Sequence, residues 1–147
     1  MYGASKVSCE HMISAYYHCY GISSYTIRLL NTYGPYCQEE RFPSIVKKKF
    51  ETETNPHFIL SSRATKRWLD IREVAERTIF LIKTMNNPVC DIFNFVGDKD
   101  ITLVEFIENY SGGKRFTYEY KDVNINGYSP NANANGKKFE KFREKHV

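Results

Sequence analysis

The sequence predicts an α/β fold, because segments with helical periodicity alternate along the chain with short runs of β-branched and aromatic residues. No internal repeat interrupts this alternation. The 147 residues suffice for one domain of ordinary size, and 41% hydrophobic against 26% charged residues is the balance of a soluble globular protein.

The first predicted elements are a helix and a strand. Residues 2–20 carry apolar side chains at three- and four-residue intervals, and Gly21 follows as a helix stop. Residues 25–30 have the composition of a strand, which Asn31 and Gly34-Pro35 are expected to end. The periodic residues of the helix are Cys9, Met12, Ile13, Tyr16 and Tyr17.

The middle of the chain predicts two helices and two short strands. Residues 42–51 and 72–85 have helical periodicity, whereas residues 57–60 and 68–71 read as extended. The helical side chains expected to face inward are Phe42, Ile45, Val46 and Phe50, and then Val74, Ala75, Thr78, Leu81 and Ile82.

The last third continues the alternation. Residues 91–96 predict a strand, and Thr102 with Glu105 forms a capping-box pattern that begins a helix ending near Tyr110. Residues 116–120 predict a further strand after two glycines. The segment 124–136, rich in Asn and Gly, predicts a loop before a terminal helix at 137–145.

The net charge of +4 is spread thinly, apart from basic runs at residues 47–49 and 137–141. Because acidic residues are interleaved, we expect both runs to be solvated helix faces, and a mild basic excess suits an anionic small ligand. No apolar run reaches membrane-spanning length, and no signal peptide opens the chain. These observations predict a cytoplasmic protein that binds neither nucleic acid nor a membrane.

The four cysteines have no C-x-x-C spacing, so we expect buried free thiols rather than disulfides. The four histidines are scattered and lack partners at ligand spacing, so no metal site is predicted.

Tyr2 and Lys6 are the first candidates for chemistry. In a helix, residues four apart lie on one face, with about 5 to 6 Å between their Cβ atoms. A tyrosine phenol is a weak base at neutral pH, but a neighbouring ammonium favours the phenolate, which can exchange a proton with a substrate hydroxyl. The pair suits hydride chemistry with a nicotinamide cofactor, although an ordinary surface pair is the commoner explanation of this spacing alone.

Further motifs follow in order. They are Tyr-Gly-Ala-Ser-Lys at 2–6, Arg-Leu-Leu-Asn-Thr-Tyr-Gly-Pro-Tyr at 28–36, Trp-Leu-Asp-Ile-Arg-Glu-Val-Ala at 68–75 and Phe-Asn-Phe-Val-Gly at 93–97. Together they resemble the extended short-chain dehydrogenase/reductase family, in its branch of NAD-dependent epimerases and dehydratases. With Glu40-Arg41 and Phe42-Pro43 included, the chain is most similar to dTDP-glucose or UDP-glucose 4,6-dehydratases.

The resemblance implies an architecture and a chemistry. Residues 1–36 would be the end of a Rossmann-like, NAD-binding parallel sheet, and residues 37–147 a small mixed α/β substrate-binding domain. The intact family oxidises, dehydrates or epimerises a nucleoside-diphosphate sugar with bound NAD. It implies a homodimer, or a partner chain that supplies the NAD-binding half.

The resemblance also implies site residues. Tyr2 would be the catalytic base, and Lys6 would help it and bind the cofactor, with Leu29 and Leu30 beside the nicotinamide. The substrate-binding residues would be Asn31, Arg41, Lys66 and Arg67.

The main departure from the family is the glycine-rich phosphate-binding turn, which none of the 147 residues supplies. We therefore expect a truncated dehydratase- or epimerase-like protein that is inactive alone. The alternatives are one half of a split enzyme and a non-enzymatic module that binds a sugar nucleotide or a protein. In each case the uncovered strand at 25–30 predicts instability or self-association.

Overall fold

The computed structural model describes residues 1–60, 63, 65–121 and 134–147, and it has the α/β architecture that the sequence predicts. Helices and strands alternate along most of the chain. The elements are α1 (Tyr2–Tyr20), β1 (Ser24–Leu29), β2 (Asn31–Tyr33), α2 (Phe42–Thr52), β3 (His57–Leu60), β4 (Trp68–Asp70), α3 (Ile71–Lys83), β5 (Cys90–Phe95), α4 (Leu103–Ser111), β6 (Thr117–Tyr120) and α5 (Lys137–Glu144).

The strands form three parallel pairs, β1 with β5, β2 with β4, and β3 with β6. In the first pair Ser24 lies opposite Cys90, and in the second Asn31 lies opposite Trp68. Both strands of the predicted first domain therefore pair with strands of the predicted second one. Along the other edge of β1, the described residues place no strand.

The first core lies between α2, β3 and α4, because their apolar side chains recur at the periods of helix and strand. The aromatic rings of Phe50 and Phe58 meet at 5.8 Å between centroids. The buried residues of this core are Val46, Phe50, Phe58, Leu60, Leu103, Phe106 and Ile107.

The second core joins β5 to α3 and α5. Phe139 of α5 is fully buried against Phe95 and Phe93 of β5, at centroid distances of 4.9 and 6.1 Å. Its buried residues are Leu69, Val74, Leu81, Phe93, Phe95 and Phe139.

The helix α1 is the least integrated element. It ends at Gly21, which adopts a left-handed φ of 66° as predicted for a helix stop. None of its residues is buried, and Met12, Tyr16 and Tyr20 are more than half exposed. The apolar periodicity of residues 2–20 thus predicted the helix correctly, but no core covers that face in the described residues.

Several details differ from the prediction. The strand β2 was predicted as the end of a strand and a loop, but its residues pair with β4. Ile45, Ala75 and Ile82 were expected to face inward and are exposed, whereas Arg77 is buried on α3. The charged side chain takes the inward place because two carboxylates and two aromatic rings surround it.

The predicted thiols are free but not buried. Cys9 and Cys19 are exposed, and Cys37 and Cys90 are half-buried, because α1 lacks a covering layer and the other two lie beside loops and a strand end. The capping box of Thr102 and Glu105 is confirmed. Most of the predicted loop at 124–136 lies outside the described residues.

No helix in the described ranges has both the length and the apolar character needed to cross a bilayer. The basic runs at 47–49 and 137–141 lie on α2 and α5, where Lys47, Lys48, Lys137, Lys138 and Lys141 are exposed, as predicted for solvated faces.

Candidate functional site

A cavity of about 470 Å³ lies where β2, the loop that follows it, the start of α2 and the start of β4 meet. Its lining combines polar, basic and aromatic side chains and, within the described residues, includes no Asp or Glu. The lining residues are Leu30, Asn31, Thr32, Tyr33, Gly34, Pro35, Tyr36, Cys37, Gln38, Arg41, Phe42, Pro43, Lys66, Trp68 and Ile71.

The pairing of β2 with β4 assembles one wall of the cavity. Asn31 lies opposite Trp68 in the register, and its side-chain amide donates to the backbone carbonyl of Arg67 at 3.3 Å. The backbone of Lys66, just before β4, exchanges hydrogen bonds of 2.7 and 3.0 Å with Ile101. Two segments far apart in sequence thus present Asn31 and Lys66 to one cavity.

The loop between β2 and α2 forms the opposite wall. Gly34 adopts a φ of 135°, and a Cβ there would lie 2.7 Å from the side chain of Ile71, so glycine allows the chain to turn closely over α3. Arg41 then stands at the amino end of α2, where its Nε lies 3.3 Å from Oε1 of Gln38.

Arg67 is placed elsewhere. Its guanidinium makes two hydrogen bonds to Asp100, at 3.1 and 2.8 Å, and this contact lowers the pKa of the Asp100 carboxyl. Arg67 does not line the cavity, while its neighbour Lys66 does. Of the two predicted substrate-binding residues Lys66 and Arg67, only Lys66 therefore lies at the cavity.

Tyr2 and Lys6 share one face of the first turns of α1, as their spacing predicted. The Lys6 ammonium lies 5.2 Å from the centroid of the Tyr2 ring, and both side chains are exposed. Neither lines the cavity that holds Asn31, Arg41 and Lys66. The described residues thus place the two predicted catalytic residues outside the predicted substrate pocket, and their roles stay predictions.

Leu29 is the last residue of β1, and Leu30 follows it directly before β2. Leu29 is 47% exposed, and Leu30 is half-buried and lines the cavity. An apolar surface next to the cavity suits one face of a nicotinamide ring.

The fit of NAD to these residues is partial. Tyr2, Lys6 and Leu29, which the resemblance implies for the nicotinamide end, are all exposed, and their role stays a prediction. In the family that the motifs resemble, the pyrophosphate of NAD lies at a glycine-rich turn before a helix amino terminus, and the 147 residues contain no such pattern. The chain by itself therefore does not fit the whole cofactor, and no hydride step can be assigned to it.

Three aromatic residues of the lining, Tyr33, Tyr36 and Trp68, had no predicted role in binding. They appeared only within the motifs at 28–36 and 68–75. Tyr36 is fully exposed and adopts a left-handed φ of 63°, which no sequence pattern of a bulky residue indicates. Its place in the Tyr-Gly-Pro-Tyr turn was the one available signal.

Comparison with known proteins gives the chain a family. The family model described as GDP-mannose 4,6 dehydratase matches residues 1–147. A dTDP-glucose 4,6-dehydratase of Xanthomonas campestris pv. campestris is 26% identical over 110 residues, which are 73% of this chain and 30% of that protein. The chain thus spans about a third of the length of the curated relatives that it matches.

Solved structures share the fold. A dTDP-glucose 4,6-dehydratase from Bacillus anthracis in complex with NAD has a TM-score of 0.73 and 22% identity, over 97% of this chain and 45% of that one. A UDP-N-acetylglucosamine 4-epimerase from Methanobrevibacter ruminantium, in complex with UDP-N-acetylmuramic acid, has a TM-score of 0.75 and 19% identity, over 95% and 46%. Because the family model matches residues 1–147, the chain belongs to the GDP-mannose 4,6 dehydratase family of NAD-dependent epimerases and dehydratases.

Proposed function

We propose that this chain binds a nucleoside-diphosphate sugar and that it is the substrate-binding part of a 4,6-dehydratase or epimerase. The observation that carries the proposal is the convergence of Asn31, Arg41 and Lys66 on one cavity. An amide and two cations, with no carboxylate in the described lining, suit a diphosphate with polar sugar hydroxyls.

The proposed roles follow from the placement of each group. Arg41 offers a planar guanidinium that can donate two hydrogen bonds to phosphate oxygens, and the Lys66 ammonium adds a second positive charge. Asn31 has its amide engaged with the Arg67 carbonyl, so its side-chain oxygen is the group left to accept from a ligand. We infer that the sugar lies on the Leu30 side of the cavity.

In the intact reaction, Tyr2 would move the proton of a sugar hydroxyl, and Lys6 would assist it and hold the cofactor ribose. In the intact family the chemistry that NAD would supply is reversible hydride transfer, and Tyr2 and Lys6 would hold its nicotinamide end. We propose that this chain alone does not turn over a sugar nucleotide, because its 147 residues contain no glycine-rich turn for the pyrophosphate of NAD. Turnover of dTDP-glucose or UDP-glucose by the pure 17.2 kDa chain would contradict this.

Isothermal titration calorimetry of the chain with UDP-glucose and dTDP-glucose tests the binding site. Arg41→Ala should weaken binding on the order of 10-fold or more, because a charge-assisted contact to phosphate is lost. The matched control is Lys48→Ala, which removes an exposed cation from the same helix outside the cavity. Equal affinity of the two variants would contradict the proposed site.

A second candidate is one half of a two-chain enzyme. The exposed apolar side chains of α1 favour it, and so does the edge of β1 along which no described strand lies, since a complementary chain could cover both. Purification from source cells at native abundance tests this: a stoichiometric partner with a glycine-rich phosphate turn would support it. Sugar-nucleotide binding without turnover or partner would instead favour a non-enzymatic binding module.

A further inference from the structure

We propose that Tyr36 is the base-stacking residue of the cavity, so that the ligand's nucleobase lies against its ring at the cavity rim. The inference rests on the proposed function. It adds a contact for the nucleobase, which Arg41, Lys66 and Asn31 are not proposed to bind. The occupant it specifies is a nucleoside diphosphate rather than a simple sugar phosphate.

The first support is the contrast between Tyr36 and the other aromatic residues of the lining. Tyr33, Phe42 and Trp68 all pack on Phe106, with ring centroids 5.7, 5.7 and 4.5 Å away. Tyr36 has no ring partner within the described ranges, and its relative exposure is 104%. Of the four aromatic rings, it alone offers an open π-face to a ligand.

The second support is the backbone. Tyr36 adopts a φ of 63°, in the left-handed region that a bulky residue enters only at a cost. A glycine would occupy the same position without strain. A large aromatic side chain that is strained, exposed and unpacked contributes nothing visible to the core, and a contact with a ligand gives it a role.

The third support is position. Tyr36 follows the Gly34-Pro35 turn and precedes Arg41, the cation at the amino end of α2. A diphosphate held by Arg41 and Lys66 would leave its nucleoside at this loop, since a nucleobase extends beyond the phosphates by the length of a ribose. A flat ring can approach at the open rim, because the aromatic residues on the Phe106 side are already packed together.

Calorimetric titration of the whole chain with UDP and with inorganic pyrophosphate tests the inference. Tyr36→Gly removes the ring and suits the local φ, so the variant should fold. We expect it to bind UDP on the order of 5- to 100-fold more weakly, with pyrophosphate unchanged. Tyr36→Phe, which keeps the ring, should bind UDP like the parent, and so should Tyr20→Ala, which removes an exposed tyrosine elsewhere.

The outcomes separate the two proposals. If Tyr36→Gly binds UDP as tightly as the parent, or loses UDP and pyrophosphate equally, the stacking role is overturned. If the parent binds pyrophosphate no more weakly than UDP, the base is not recognised and only the anion site stands. If the parent binds neither, the proposed function fails, and this inference fails with it.

Discussion

Glu10 of α1 and Arg28 of β1 form an ion pair with two hydrogen bonds, at 2.7 Å from Nε to Oε1 and 2.5 Å from Nη2 to Oε2. Within the described residues, no other side-chain hydrogen bond leaves α1. Because α1 also buries none of its residues, this pair is the main polar link between the helix of Tyr2 and Lys6 and the rest of the chain.

We expect Glu10→Gln to loosen α1 without unfolding the cores. The amide remains similar in size, but it loses the negative charge and one of the two oxygens that accept from Arg28. Hydrogen exchange of α1 amides should become roughly two- to fivefold faster, while exchange in α3 stays unchanged. Glu39→Gln, an exposed carboxylate in a loop, is the control, and equal α1 exchange in both variants would contradict the prediction.

The same pair predicts a pH dependence. The hydrogen bond from Arg28 lowers the pKa of Glu10 below its ordinary value of 4.5. A carboxyl group with a lowered pKa in the folded state stabilises that state above the ordinary value, and the contribution disappears as the pH falls through the folded value. Thermal unfolding by circular dichroism should separate the parent from Glu10→Gln at pH 7, and the difference should shrink as the pH falls below 4.5.

Gly97 is predicted to tolerate no side chain. A Cβ there would lie 2.0 Å from the backbone oxygen of Trp68 and 2.8 Å from its carbonyl carbon, so the chain after β5 would have to move away from β4. Gly97→Ala should lower the free energy of unfolding by about 1 to 3 kcal/mol in urea titrations. Gly3→Ala, where nothing lies within 4 Å, should be neutral or slightly stabilising.

Arg77 is predicted to hold α5 in place. Its buried guanidinium lies 2.6 Å from Glu73 and 3.4 Å from Glu140, and 5.1 Å from the ring centroid of Phe139. Arg77→Met should cost about 2 kcal/mol of unfolding free energy, because two carboxylates lose their buried partner. Arg143→Met, which breaks an exposed contact to Glu140, should cost under about 1 kcal/mol.

The uncovered side of α1 predicts self-association of the isolated chain. A groove there is lined by Met12, Tyr16 and Ile22 together with Cys9 and Ile13. Light scattering after size-exclusion chromatography should show species larger than 17.2 kDa. Met12→Lys should reduce them more than Ile59→Lys, which charges an exposed residue on β3, and a stable monomeric parent would refute the prediction.

Local patterns account for the parts of the fold that were predicted well. The capping box of Thr102 and Glu105 lies within four residues, and Gly21 acts on the helix directly before it, so neighbours in sequence determine both. Pairing partners far away determine the rest. Asn31–Tyr33 is a strand because β4 lies beside it, and Arg77 is buried because Glu140 and Phe139 arrive from the other end of the chain.

The candidate site shows the same division. The resemblance to the family named Asn31 and Arg41, and it named Lys66 together with Arg67. Whether Lys66 or Arg67 faces the cavity depends on Asp100, which no local pattern connects with Arg67. The left-handed φ of Tyr36 could not be predicted from the sequence either, because bulky residues rarely adopt it.

The three parallel strand pairs also bear on how the chain acquires its structure. Each pair joins segments that a long stretch of sequence separates, with Ser24 opposite Cys90 and His57 opposite Thr117. Closing a large loop costs chain entropy before the strand pair can form its stabilising contacts. High contact order therefore slows folding, and comparable topologies fold on the order of milliseconds to seconds. During synthesis β1 leaves the ribosome long before β5 exists, so the β1–β5 pair can form only after most of the chain has been made.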